Sequence, residues 1–181
     1  MGFPPEEGGL DIYKAIYGRR SVRHYDSSKD VSQVIIEKLL KAAVQAPSAG
    51  NIQPWRFWVI RDKNLKEAMA EAAGNQIFVA QASAVVVVCA DLKASSWGYS
   101  KRGVDLYSIQ DTAAAIQNLM LAAHAEGLGT CWVGAFSEEK AKRYLKLPEH
   151  IRPMAIIPLG YPSQQRKKSP KKDPLEFTEF R

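Results

Sequence analysis

The run Ala84-Val85-Val86-Val87-Val88-Cys89-Ala90 sets the frame for the rest of this 181-residue chain. Four consecutive valines, β-branched and stiff at χ1, favour a strand. No polar residue alternates with them, so the strand has no solvent side and needs apolar cover on both faces. As the longest apolar run it also falls far short of the roughly 20 residues of a spanning helix, so no membrane span is expected.

Cover is available on either side of it. Ser32 is placed to cap a helix whose apolar positions Val34, Ile35, Leu39, Ala42, Ala43 and Ala46 share a stripe that Pro47 ends. Asp11–Tyr17 predicts a short helix stopped by Gly18, and Asn64–Ala73 a third, closed by Gly74. Asp105–Glu126 is the longest, apolar around most of its circumference, so it belongs in the middle of a core or at a dimer interface. A further helix starts at Ser137-Glu138-Glu139. Strands are expected at Trp55–Ile60, from Gly129-Thr130 through Val133, and at Pro153–Leu159, while Asp91–Gly103 reads as a loop. The sum is an α+β or mixed α/β fold with one central sheet and no strict βαβ alternation. At 46% hydrophobic and 24% charged residues the chain is of ordinary globular composition, and its length suits a single domain over residues 1–181. Residues 1–10 are expected to be a flexible start, without a sorting signal, and residues 163–181 a C-terminal arm.

Charge is unevenly placed. The formal net charge is +6. Residues 19–24, Arg19-Arg20-Ser21-Val22-Arg23-His24, hold three cations, and Ser163–Asp173 holds five cations and one acid. With these set aside, 25 basic and 19 acidic residues become 17 and 18. The surplus is therefore two local grips rather than a basic surface. Guanidinium forks beside a hydroxyl suit a phosphate monoester. The arm alone would equally suit a nucleic-acid backbone, and a basic nucleic-acid-binding module stands as the alternative of another class. Against it, no helix-turn-helix, RRM or zinc pattern occurs.

Catalytic side-chain sets are missing. His24, His124 and His150 lie in separate elements without ligand spacing, which predicts no metal site, and His124 reads as an interior or interface histidine. There is no GxSxG elbow, no GxGxxG and no Walker loop. Cys89 and Cys131, each in an apolar stretch, read as buried thiols of a reducing, cytoplasmic setting. Cations, loop amides and aromatics without a nucleophile or base point to a cofactor that carries the chemistry.

Three blocks, Arg19-Arg20-Ser21-Val22-Arg23, then Pro47-Ser48-Ala49-Gly50-Asn51-Ile52-Gln53-Pro54-Trp55, then Gly127-Leu128-Gly129-Thr130-Cys131-Trp132-Val133-Gly134, together resemble the FMN-dependent nitroreductase family, in its shorter members. The resemblance spans about residues 11–177. It implies an α+β nitroreductase-like fold: a central mixed sheet of about four to five strands flanked by helices, a long central helix and an extended C-terminal arm. It implies FMN, with NAD(P)H as electron donor, and no catalytic side chain, the chemistry residing on flavin N5. By position, Arg19, Arg20 and Ser21 match residues that hold the phosphate and ribityl chain, and Arg23 the cation near flavin N1 and O2. Pro47, Ser48, Ala49 and Asn51 match a loop that the neighbouring subunit lays on the flavin, which implies a homodimer with shared sites. Val133 and Gly134 match strand-end amides near N5 and O4, and Lys171 and Lys172 the basic pair that closes over the phosphate, with Lys168 a rival for one place. Two departures concern the substrate side. Gln76 stands in a shortened stretch where longer members carry an Asn and a Lys, and Val133 stands where an acidic residue is frequent.

The implied reaction is ping-pong transfer of hydride from NAD(P)H to flavin and on to a nitroaromatic, quinone or similar flat acceptor. Reduced-flavin fragmentation, dehalogenation and enone reduction are alternatives on the same fold. No nucleic-acid or membrane partner is expected.

Overall fold

A computed structural model describes residues 11–164 and 169–181. The readings made on residues 1–10 and on Lys168 lie outside the described residues. In chain order the elements are α1 (Ile12–Gly18), α2 (Gln33–Ala43), β1 (Trp55–Ile60), α3 (Lys63–Ala72), α4 (Phe78–Gln81), β2 (Ala84–Asp91), α5 (Leu92–Arg102), α6 (Ser108–Ala125), β3 (Gly129–Thr130), α7 (Glu138–Leu145) and β4 (Ile151–Gly160). Two 3-10 turns, at Ala49–Asn51 and Pro174–Phe177, and a π turn at Gly103–Tyr107 complete them among the described residues.

The sheet runs β1-β2-β4-β3, and its ladders are antiparallel. A parallel bridge joins Ser21 to Thr130 at its far edge. The valine run sits second in the sheet and is buried throughout. Its pleat splits the core as a period of two requires. Ala84, Val86 and Val88 pack with Leu39 of α2 and Ile116 and Leu119 of α6, while Val85, Val87 and Cys89 pack with Met69 of α3 and Ala141 of α7. Burial pushes the Cys89 thiol up to about 12.

Two prolines sit inside β4 because of where its hydrogen bonds go. Pro153 lies at a bulge opposite Cys89, a position that tolerates a missing N–H. Ile156 turns its N–H outward to Val133 O at 3.0 Å, so Pro158, two residues on, would donate from the same edge and has no proton to give. The expected strand through Val133 is therefore cut to Gly129–Thr130, with a lone bridge resuming at Val133.

The segment expected as a loop from Asp91 to Gly103 is instead the helix α5. The Asp91 carboxylate accepts the Ala94 N–H at 3.0 Å and caps it. Only Ser95 of its residues is buried, so no apolar stripe advertises the helix in the sequence. It breaks at Tyr99 and Ser100, the latter at φ 48°, before the π turn feeds α6. The long helix thus begins at Ser108, three residues later than expected, and α4 was not anticipated at all.

Candidate functional site

The first block leaves α1 at Arg19 and runs extended beside β3. Val22 donates its N–H to Thr130 O at 2.8 Å. Val22 and Tyr25 bury themselves with Ala82, and the Tyr25 hydroxyl reaches Val22 O and Pro158 O, tying the segment to β4. Gly129 makes this docking possible, because a Cβ there would lie 2.7 Å from the Val22 side chain.

Arg19, Arg20, Lys29 and His124 then meet along one cavity of about 620 Å³, whose lining among the described residues contains no carboxylate. Arg20 Nη1 folds back to donate to the carbonyls of Tyr17 and Arg19, both at 2.6 Å, a cation on a helix C-terminus. Arg19 Nε is buried with no hydrogen-bond partner. A buried guanidinium donor left open in a cationic, carboxylate-free cavity fits an anion such as a phosphate. His124 rests against Gly18, where a Cβ would lie 2.4 Å from Nε2. Burial first, then Arg20 and Arg19, holds its pKa below the ordinary value.

Ser21 and Arg23 do not line that cavity. Ser21 bridges Thr130, and the Arg23 guanidinium lies 5.7 Å from the centre of the Phe78 ring, a cation–π contact that fixes it beside α4. Gln76 leads into α4 and donates from Nε2 to Ala73 O at 2.8 Å, so its amide nitrogen is engaged locally.

At the strand end the two expected amides differ. Val133 is 3% exposed and its N–H is taken by Ile156 O at 3.0 Å, whereas Gly134 is exposed. The amide on offer is that of Gly134.

The second block is a tightly wound turn. Gly50, Asn51 and Gln53 all have left-handed φ, 53°, 55° and 54°. Ser48 Oγ accepts the Gln53 N–H at 3.0 Å, and the Asp111 carboxylate of α6 accepts the Ala49 N–H at 3.1 Å. Tyr99 of α5 lies over Gly50, its hydroxyl 2.8 Å from where a Cβ would stand. Pro47 and Asn51 are exposed. Within the chain this loop is tied to α5 and α6 rather than to Arg19–Arg23.

In the arm, Lys171 and Lys172 are exposed. Lys172 stands 3.9 Å from Glu176 and 5.7 Å from the Phe177 ring centre, contacts within the arm itself. Asp173 caps the following turn through the Leu175 N–H.

Sequence reasoning missed Asp111, Tyr99 and Lys29, and read His124 as an interior or interface histidine rather than as part of a cavity wall. For Asp111 a signal existed: a carboxylate in an apolar helix. For Tyr99 and Lys29 none did, because their roles depend on how α5 and the turn before α2 fold back. Among the described residues no three His, Cys, Asp or Glu side chains gather as a metal-holding group, and no helix is long and apolar enough to cross a membrane.

Comparison with known proteins agrees with the three blocks. The Nitroreductase family pattern matches residues 16–104 and 72–161. An Archaeoglobus fulgidus protein named as an NADH dehydrogenase/NAD(P)H nitroreductase is 42% identical over 160 residues, covering 86% of this chain and 88% of its own. A Bacillus subtilis FMN reductase (NADPH) is 27% identical over 171 residues, 87% of this chain and 68% of its own. Among solved structures, a protein of the same nitroreductase description from Bacteroides thetaiotaomicron superimposes with a TM-score of 0.82 at 32% identity, over 94% of this chain and 98% of that one. With the matching pattern spread over most of its length and close relatives on either measure, the chain belongs to the nitroreductase family.

Proposed function

We propose that the protein is an FMN-dependent oxidoreductase that takes hydride from NAD(P)H and delivers it to a nitroaromatic, quinone or similarly flat acceptor. It works as a cytoplasmic homodimer whose sites are shared, with the arm of residues 163–181 crossing to the partner. The observation that carries this reading is the Arg19–Arg23 segment: docked against β3, with Arg19 and Arg20 lining a cationic cavity that has no carboxylate among the described residues, and with a buried Arg19 Nε that has no hydrogen-bond partner, in a chain of this family.

FMN, when bound, supplies two-electron chemistry that no side-chain set here provides. The chain supplies grip, orientation and electrostatics. Arg19 and Arg20 would hold the phosphate by charge-assisted hydrogen bonds, Ser21 adding a hydroxyl, with Lys171 and Lys172 closing over it. Arg23, restrained by Phe78, would counter negative charge on the pyrimidine side of the ring. The Gly134 amide would bond the ring edge, Val133 serving through its backbone pairing with Ile156. Pro47, Ser48, Ala49 and Asn51 would come from the neighbouring subunit. Gln76, next to α4, is the remaining candidate contact. A ping-pong order follows if donor and acceptor use one face in turn.

The absorbance spectrum of the purified protein, followed by anaerobic titration with NADH and NADPH, tests this. A flavin spectrum that bleaches on titration is expected. Protein that stays colourless and takes up no added FMN would overturn it. Comparing turnover of nitroaromatics and quinones with that of halogenated aromatics and enones then ranks the acceptor class.

A further inference from the structure

The loop after Pro47 is held in a conformation that it would not choose alone. Two of its three left-handed residues, Asn51 and Gln53, carry side chains, and of these Asn enters the region readily while Gln does so only where its surroundings impose it. The turn is held from within by the N–H groups of Asn51 on Ser48 O, Ile52 on Ala49 O and Gln53 on Ser48 Oγ, and by the Gln53 side-chain amide on Asn51 O and Oδ1. Two polar contacts reach it from outside: the Asp111 carboxylate accepts the Ala49 N–H at 3.1 Å, and Arg56 of β1 donates more distantly, at 3.5 Å, to the Gln53 carbonyl at the loop's far end.

Asp111 is an unusual residue for its position. It is 7% exposed, on a helix face it shares with Thr112, Ala115, Ile116 and Leu119. A carboxylate there is disfavoured by desolvation, which raises its pKa, and the Ala49 N–H works against that rise. An apolar residue at the same place would avoid the cost of burying a charge. Thr112, beside it, turns its hydroxyl back to Ser108 O at 2.7 Å and needs nothing from the loop. Among the described residues, the contact that accounts for an acid at 111 is the loop amide.

We propose that Asp111 is the positioning residue for the loop that completes the partner's flavin site: its carboxylate holds the Ala49 N–H and thereby fixes the left-handed turn that presents Ser48, Ala49 and Asn51. The proposal rests on the FMN reading above. Tyr99, lying on Gly50, closes the turn from its other side, and a side chain at residue 50 would collide with it. The work is done by an acceptor rather than by a charge, so an uncharged acceptor of the same shape should serve.

Asp111→Asn and Asp111→Ala are made in the full chain, and amide hydrogen exchange is followed at Asn51, Ile52 and Gln53 before any FMN is added. In Asp111→Ala the three amides should exchange roughly tenfold faster or more, the loss expected for a hydrogen bond to a charged acceptor, while those of β2 and β4 stay unchanged. Asp111→Asn should restore protection. With FMN added, Asp111→Ala should bind it about tenfold more weakly and show a shifted flavin spectrum, and Asp111→Asn should match the parent protein. Unchanged loop exchange in Asp111→Ala would overturn the proposal, as would an Asp111→Asn as loose as the alanine variant. Should Asp111→Ala fail to fold, Ala49→Pro removes the donor from the other side. Ser48 has the extended φ and ψ, −140° and 153°, that a following proline accepts, so a protected loop in that variant would equally overturn the proposal. If the parent protein binds no FMN, the cofactor reading fails while loop exchange still decides the role of Asp111.

Discussion

Arg19 and His124 share one cavity wall, but different physics governs each. Arg19 has an open donor, so removing it should cost the phosphate contact and little else. Arg19→Gln is expected to weaken FMN roughly ten- to hundredfold while riboflavin, which has no phosphate, binds as before. Equilibrium fluorescence titration with both flavins checks this, and equal losses for the two would contradict it. His124 acts through protonation. Its native pKa lies below the ordinary value of 6.5, so the unfolded chain takes up the proton first. Stability is then present above about pH 6.5 and is lost as pH falls through the lower native value. Thermal melts between pH 7 and pH 5 should fall less steeply for His124→Gln than for the parent protein. The residue scale is also where the sequence spoke least evenly. Arg19 and Ser21 stand out in the sequence because their spacing occurs in a recognisable block, and the structure sets Arg19 on the cavity and Ser21 on a bridge to Thr130, whereas the shift of His124 comes from burial first and then from Arg20 and Arg19, a tertiary event.

Among the elements, β2 was readable because four valines admit few fates. Its neighbours β1 and β4 were readable as strands but not in how they pair with it, since a continuous apolar strand is usual for parallel sheets and this one is antiparallel with helices on both faces. The helix α5 was invisible for the opposite reason: a helix with one buried residue carries no periodic signal, and a single capping carboxylate, Asp91, decides its start. The shortness of β3 was written in Pro158, but only register reveals which edge that proline spoils. The junction of β3 with the Arg19–Arg23 segment also shows how an element positions the site. Gly129→Ala would press on Val22 at 2.7 Å and push the segment off its strand. A loss of about 1–3 kcal/mol is expected from such overpacking, together with weaker FMN binding. The same change at Gly74, which lies outside the cavity lining and has nothing among the described residues within 4 Å of the added carbon, strains the backbone alone and should leave FMN affinity intact. Thermal melts with paired FMN titrations would separate the two.

For the whole molecule, the question is what covers the apolar surface left over. Leu175, Phe177 and Phe180 are 64, 70 and 85% exposed, and Trp97 is 90% exposed. Side chains of that size on one chain are normally hidden by a second. Deleting residues 174–181 should therefore convert a dimer to a monomer on size exclusion and take FMN binding with it. An unchanged elution volume would contradict the crossing arm. The long helix reads in the sequence as apolar around most of its circumference, yet Gln110 and Gln117 are exposed on it, and much of the exposed apolar surface lies in the arm and α5 instead.

The placement of Cys89 has a consequence for measurement. Its sulfur lies in the second strand of the sheet, 0% exposed, with its thiolate strongly disfavoured. A thiol reagent reaches it only after β2 has parted from β1 or β4, so the rate of its alkylation is a clock for the rarest openings of the fold. The protein thus has a native reporter of its own global unfolding, and any ligand that binds only the folded form should slow that clock in proportion to its occupancy.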